Sequence, residues 1–185
     1  MPDKSHRIAR SQAALLVVDI QERLLPAIFE RERVLQNALR LVKGAQVLNV
    51  PVFVTEQYRK GLGATEPELA AAIPGFAPIE KLTFSSVSAP GLVDALRAKG
   101  AREIVLCGIE AHVCVCQTCL DLLCEGFTPF VVADAISSRA SANHRAGVER
   151  MRDAGAIVVS TEMILFELLE RAGTDEFKQI LNLVK

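Results

Sequence analysis

A chain of 185 residues, half of them apolar, has enough material for one well-filled α/β core and too little for two. Lys and Arg number 21 against 22 Asp and Glu, so no basic surplus follows a phosphate backbone, and nucleic-acid binding lacks electrostatic support. No apolar run reaches the roughly 18–20 residues that span a bilayer, and the polar start MPDKSHRIARSQ lacks a signal peptide's apolar centre; both point to a cytoplasmic protein with no membrane partner.

Strand and helix signals alternate along the chain. Ala13 to Val18 reads as a fully buried strand ending at Asp19, and Arg31 to Leu48 carries Val34, Ala38, Leu41, Val42 and Ala45 at helical spacing. Val52 to Thr55 is a second short strand. The stretch from Glu56 to about Pro78 is broken by Gly61, Gly63, Pro67, Pro74 and Gly75, with room for a short helix over Glu68–Ile73. Loops of this length usually serve function. Ile79–Lys81 reads as a strand end, Pro90–Lys99 as a helix with proline in its first turn, Glu103–Cys107 as a strand and Val113–Cys124 as an apolar helix closed by Gly126. Phe130–Ala133 and Ala156–Val159 are the last strands; Ser141–Ala154, Thr161–Arg171 and an amphipathic segment after Thr174 are the last helices. This order predicts a single α/β domain over residues 1–185, built on a doubly wound, mostly parallel six-stranded sheet covered by helices on both faces. Ligands in such sheets sit beyond the carboxyl ends of the strands, where the strand order reverses.

Asp19 and Cys114 both fall just past strand ends. Cys114 arrives after the elbow that follows Gly108, where an apolar helix begins; unpaired N–H groups there favour an anion and a lowered thiol pKa. The same cysteine also reads as a small buried core residue. Asp19 is a candidate base or a polar strand terminus, and Lys81 a candidate cation or a solvated surface lysine. Five cysteines, four of them between Cys114 and Cys124, do not staple distant segments, and Cys116-x-x-Cys119 with His112 and His144 does not complete a zinc pattern. Reduced thiols and no metal or cofactor are expected.

The segments VVDIQ with Asp19, EKLTFSS with Lys81 and Phe84, and GIEAHVCV with Cys114 together resemble the isochorismatase-like cysteine hydrolases, which include nicotinamidases and N-carbamoylsarcosine amidohydrolases. The likeness runs from LLVVDIQERL to the Ser160–Leu169 segment, and TEQYRKGLGATEPEL is similar to a small, metal-free isochorismatase-domain subgroup. The resemblance implies strand order 3-2-1-4-5-6, a triad of Asp19, Lys81 and Cys114, and a cis Ile109–Glu110 bond that aims the Glu110 N–H, with the Cys114 N–H, at one oxyanion. It implies a pocket lined from Gln21, Gln57, Tyr58, Phe84, His112 and Val113. For the Glu110 side chain and for His112, anchoring the elbow is an open alternative to touching substrate.

Nicotinamidases of this family carry an Asp-x-His metal site after the second strand. Thr55–Gly61 has no histidine, so neither zinc nor nicotinamide is expected. True isochorismatases do not need the cysteine present at Cys114. The resemblance therefore implies a metal-independent cysteine hydrolase acting on a small amide, ureide or carbamoyl compound. Other readings are a thiol redox protein using Cys114 with Cys116 and Cys119, and an oligomeric scaffold with a vestigial triad. Cys107, Cys116, Cys119 and Cys124 read most simply as packing residues, and Asp134, Ser137 and Ser138 as loop or cap residues. Phe166, Leu168 and Leu169, with the Phe177, Ile180, Leu181 and Val184 stripe, offer apolar surface that a homo-oligomer would bury.

Overall fold

The computed structural model describes residues 7–185; residues 1–6, the beginning of the polar N-terminal stretch, lie outside the described residues. The chain starts in the middle of its own sheet. Strand β1 (Ala13–Val18) is buried along its whole length, so it needs cover on both faces. Helix α1 (Arg31–Val47) supplies one side and leads to β2 (Val52–Gln57), which pairs with β1. Two short helices, α2 (Arg59–Leu62) and α3 (Pro67–Ala71), occupy the long irregular stretch before β3 (Ile79–Lys81) at the sheet edge. Helix α4 (Leu92–Ala98) carries the chain back across the sheet, and β4 (Glu103–Ile109) pairs with the other side of β1. A π-helical turn (Ala111–Val115) runs into α5 (Cys116–Cys124), followed by β5 (Thr128–Ser137), α6 (Ser141–Asp153), β6 (Ile157–Val159), α7 (Thr161–Leu169) and α8 (Asp175–Val184).

The sheet is parallel throughout, in the order β3-β2-β1-β4-β5-β6. This is the doubly wound arrangement, and its order reverses between β1 and β4. Alternate residues of the central strands feed two cores. Leu15, Val17, Val105 and Val132 pack with α1, α7 and α8 on one face. Ala14, Leu16, Ile104, Leu106 and Val131 pack with Leu92, Leu96, Leu122 and Met151 of the helices on the other. Each fully buried leucine contributes about 1.5–3 kcal/mol, which the period-two pattern of a two-sided strand exploits on both faces.

The strands extend further than hydropathy suggests. β2 continues through Glu56 and Gln57 because their backbone pairs with Glu80 and Lys81 of β3. β5 continues to Ser137 past an irregular register between Leu106 and Gly108 of β4. Gly108 has φ 129°, and a Cβ there would stand 2.0 Å from the Val18 carbonyl oxygen, so β1 and β4 approach as closely as they do only over glycine.

The C-terminal stripe packs partly within the chain itself. Ile180 is fully buried, and Phe177, Leu183, Val184 and Phe166 pack against the core formed with α1 and α7. Leu168 and Leu169 are buried there too. Ile180, Leu168 and Leu169 belong to this protein's own core, whereas Phe166, Phe177, Leu181 and Val184 remain part-exposed. Among the described residues no helix is long and apolar enough to cross a membrane.

Candidate active site

The strand order reverses between β1 and β4, where such sheets place their ligands, and Asp19, Lys81 and Cys114 lie together at the carboxyl ends of the strands there. Asp19 follows β1 with φ 54°, a left-handed conformation that aspartate tolerates better than most residues. Lys81 ends β3, and its Nζ donates to Asp19 Oδ2 at 2.6 Å, to the Phe84 carbonyl at 2.9 Å and to the Thr83 carbonyl at 3.2 Å. The Cys114 sulfur faces the Asp19 carboxylate and the backbone N–H of Glu110. Asp19 is 0% exposed, Lys81 5% and Cys114 6%, so the charges interact with little screening by water.

The thiol differs from the sequence expectation. Cys114 lies in the π-helical turn rather than in the first turn of an α-helix. Burial, reinforced by the negative charge of Asp19, pushes its thiol up to about 12; Lys81 and the Glu110 N–H act the other way without prevailing. The resting group is therefore a neutral thiol beside a carboxylate. Burial also raises Asp19 above the usual carboxylate range, opposed by Lys81 and by hydrogen bonds from Lys81 and Thr55.

The elbow carrying Cys114 is pinned from several sides. The Ile109–Glu110 peptide bond is cis. The Glu110 carbonyl accepts from the N–H groups of Val113 and Val115 at 3.0 and 3.2 Å. Glu110 Oε2 accepts from the backbone N–H and the Nε of Arg139, at 3.0 and 3.1 Å, so this side chain anchors the elbow to the loop after β5. His112 Nδ1 shares a 2.9 Å hydrogen bond with the Ser138 hydroxyl. Gly147 of α6 packs directly on the turn, where a Cβ would meet the Ala111 carbonyl oxygen at 2.9 Å.

The remaining expected pocket residues divide. Gln21 is buried and its amide is committed to backbone, donating to the Gln57 and Gly63 carbonyls and accepting from the Gln57 N–H. It straps the 57–65 loop to the end of β1. Gln57 donates to the Leu82 carbonyl, and Val113 is half-buried on the elbow. Tyr58 and Phe84 are 49% and 51% exposed and Leu82 78%; Tyr58 donates its N–H to the Lys81 carbonyl, and Leu82 and Phe84 follow Lys81 in the chain. Asp134 accepts from the N–H and hydroxyl of Thr161, and Ser137 donates to the Phe29 carbonyl, so both serve the loops.

Sequence reasoning missed a buried hydroxyl group of residues behind the carboxylate. Thr55 donates to Asp19 Oδ1 at 2.7 Å, Ser86 lies 3.2 Å from the Thr55 hydroxyl, and Thr118 accepts from the Ser86 N–H. A polar residue at the inner end of a strand that should be apolar was the available signal.

The Thr55–Gly61 stretch also holds Glu56, whose Oε1 accepts from Thr65 and whose Oε2 pairs with Arg59 at 3.2 Å. Arg59 reaches Glu80 as well. Among the described residues no three His, Cys, Asp or Glu side chains gather into one cluster, and Arg59 pairs with both Glu56 and Glu80 where nicotinamidases would present an Asp-x-His pair. Cys116 and Cys119 are buried and, like Cys107 and Cys124, unpaired. Two cavities of about 380 and 510 Å³ lie at the amino ends of the strands, around Arg97, Arg102, Glu125 and Phe127 and around Gln12, Glu103, Glu167 and Glu170. Neither is near Cys114.

The family model for the isochorismatase domain matches residues 13–163. The chain belongs to the isochorismatase family. Among its relatives, isochorismatase domain-containing protein 2 of Danio rerio is 38% identical over 179 residues, covering 96% of this chain and 89% of that protein. The secreted isochorismatase effector Isc1 of Phytophthora sojae is 39% identical over 184 residues, covering 97% and 87%. Of solved structures, the MAR1 ribonuclease from Caenorhabditis elegans superposes with a TM-score of 0.90 at 37% identity, over 96% of this chain and 92% of that one. YcaC from Pseudomonas aeruginosa, with covalent acrylamide, gives 0.89 at 29% identity over 97% and 92%. The Escherichia coli YcaC, described as an octameric hydrolase of unknown specificity, gives 0.89 at 28% over 96% and 88%. An isochorismatase-family hydrolase fold is thus common to this chain and these neighbours.

Proposed function

We propose that this isochorismatase-family protein is a metal-independent cysteine hydrolase that cleaves the C–N bond of a small amide, ureide or carbamoyl compound. The observation that carries the reading is the buried Asp19 carboxylate, held by Lys81 and facing the Cys114 sulfur. Asp19 takes the thiol proton as sulfur attacks the carbonyl carbon. The oxyanion is held by the Glu110 N–H and by the Cys114 N–H, which stands between the two N–H groups already bonded to the Glu110 carbonyl. The C–N bond then breaks, the leaving nitrogen receives the proton from Asp19, and an acyl-thioester remains on Cys114. A water molecule gives a proton to Asp19 and attacks the thioester; the acid leaves and the proton returns to sulfur. Lys81, donating to Oδ2, favours the ionised form of Asp19 against the burial that disfavours it.

A neutral thiol at rest fits general-base activation during attack better than a preformed thiolate. Exposed Tyr58, Leu82 and Phe84, on the segments next to Lys81, suit a small substrate with an apolar or planar group. The covalent acrylamide of the Pseudomonas aeruginosa neighbour is itself a small amide. The octameric relative supports a homo-oligomer here.

Incubation with a mixed panel of small amides, ureides and RNA, followed by acid quench and peptide mass spectrometry, tests the proposal. An acyl adduct confined to Cys114 and lost in Cys114→Ala is expected. Turnover of any panel member at an unchanged rate in Cys114→Ala removes the covalent route, and cleavage of RNA alone would favour the activity named for the Caenorhabditis elegans relative.

A further inference from the structure

We propose that Thr55 is a positioning residue whose hydroxyl, backed by Ser86, fixes the proton-accepting state of Asp19. The inference rests on the hydrolase reading above and deepens it. Thr55, within β2, occupies the register position beside Val18, the last residue of β1 and the one that precedes Asp19, and it is completely buried. Its Oγ1 donates to Asp19 Oδ1 at 2.7 Å while Lys81 Nζ donates to Oδ2 at 2.6 Å, so the two carboxylate oxygens have separate donors. A hydroxyl has one proton. With that proton on Asp19, Thr55 can only accept from Ser86 at 3.2 Å, which makes Ser86 the donor of that pair. Ser86 is held in turn by its N–H bond to the Thr118 hydroxyl at 2.8 Å. The chain of donors runs one way, from Ser86 through Thr55 to the carboxylate.

This direction has a chemical consequence. A donor on a carboxylate stabilises the ionised form, so Thr55 opposes the burial that drives Asp19 toward protonation. The other groups facing Asp19 are Lys81 from β3, which acts in the same sense, and the Cys114 thiol from the π-helical turn. Thr55 also takes up Oδ1 as an acceptor, which constrains the carboxylate plane relative to the sulfur. Without it, Asp19 holds a proton to higher pH and takes one from Cys114 only above that point.

The rate of Cys114 alkylation by iodoacetamide, followed against pH by peptide mass spectrometry, reads this without knowledge of the natural substrate. In the intact protein the rate falls on the acid side as Asp19 protonates. Thr55→Val, of nearly equal volume, is expected to move that acid limb up by about one pH unit, the effect of one hydrogen bond to a charged group. Thr55→Ser should restore the original limb, and Ser86→Ala should move it in the same direction by less. A limb unmoved in Thr55→Val, or in Ser86→Ala should the valine variant not fold, overturns the inference. Asp19→Asn serves as the separate control: if it leaves the profile unchanged, Asp19 is not the base and the hydrolase reading fails; if it abolishes the acid limb while Thr55→Val does not shift it, only the role of Thr55 fails.

Discussion

Replacing Lys81 with methionine tests the electrostatics most directly. The ammonium is buried with three acceptors, and methionine fills similar space without charge. Asp19 would keep only Thr55 as a firm donor, and burial would push its carboxyl further above the usual range. A buried pair that loses one member destabilises a fold by about 3–5 kcal/mol. The protein limits this cost by protonating Asp19, and that gives the perturbation a pH signature. The folded-state pKa of Asp19 lies above its unfolded value, so its contribution is greatest below the unfolded pKa and is lost as pH rises through the folded one. Methionine widens that window. Each pH unit of added window is worth about 1.4 kcal/mol, so from about pH 4 to pH 7 the deficit of Lys81→Met relative to the parent should grow by at most about 4 kcal/mol. Urea denaturation across this range measures it, with Asp19→Asn and the double variant completing a cycle. A deficit that stays flat with pH, or a coupling energy below about 0.5 kcal/mol, would refute the reasoning.

Four further outcomes follow from particular contacts. In Asp19→Asn, alkylation of Cys114 near neutral pH should slow by at least about 100-fold while the exposed Cys124 reacts as before, read by peptide mass spectrometry. The Cys114 thiol, raised to about 12 from an ordinary 9.0, makes a contribution to stability that is complete below about pH 9 and declines as pH climbs toward 12; Cys114→Ala should make this part of the denaturation profile less steep without flattening it, because burial raises Cys107 and Cys119 likewise. Asp134→Ala should cost about 1–2 kcal/mol by freeing the Thr161 N–H and hydroxyl, with Cys114 alkylation unchanged. Ile180→Ala should cost about 2–5 kcal/mol in thermal or urea unfolding yet leave the oligomeric state found by sedimentation as it was, because this side chain lies inside the protein's own core.

Much of the scaffold was legible from hydropathy alone. The run AALLVV has no polar residue, and only a central strand covered on both faces accommodates that. Strand ends were less legible: Glu56 and Gln57 look like loop but are strand, because β3 offers backbone partners that no local pattern reveals. The apolar C-terminal stripe was only partly legible for a similar reason. Its amphipathic spacing was read correctly, but spacing does not say which surface covers it, and α1 with α7 do so in part within the chain. Cys114 stands past the end of β4, but in a π-helical turn rather than at the start of an α-helix, and its surroundings oppose the lowered pKa that a helix start predicts. A helix start argues for an anion, whereas burial beside a carboxylate argues against one, and the second effect prevails here.

The sequence by itself determined which strands are central, which chain segments carry Asp19, Lys81 and Cys114, and that no histidine pair stands ready for a metal in the 55–61 stretch. Those are local facts, written in residue type and period. Only the tertiary structure decided that the three side chains meet, that Gln21 is committed to backbone, that Glu110 anchors the elbow through Arg139, and that Thr55 with Ser86 stands behind the carboxylate. The reason is geometric: parallel strands far apart in sequence deliver their ends to one place, and the charge state of each group there depends on burial and on neighbours that no linear stretch contains.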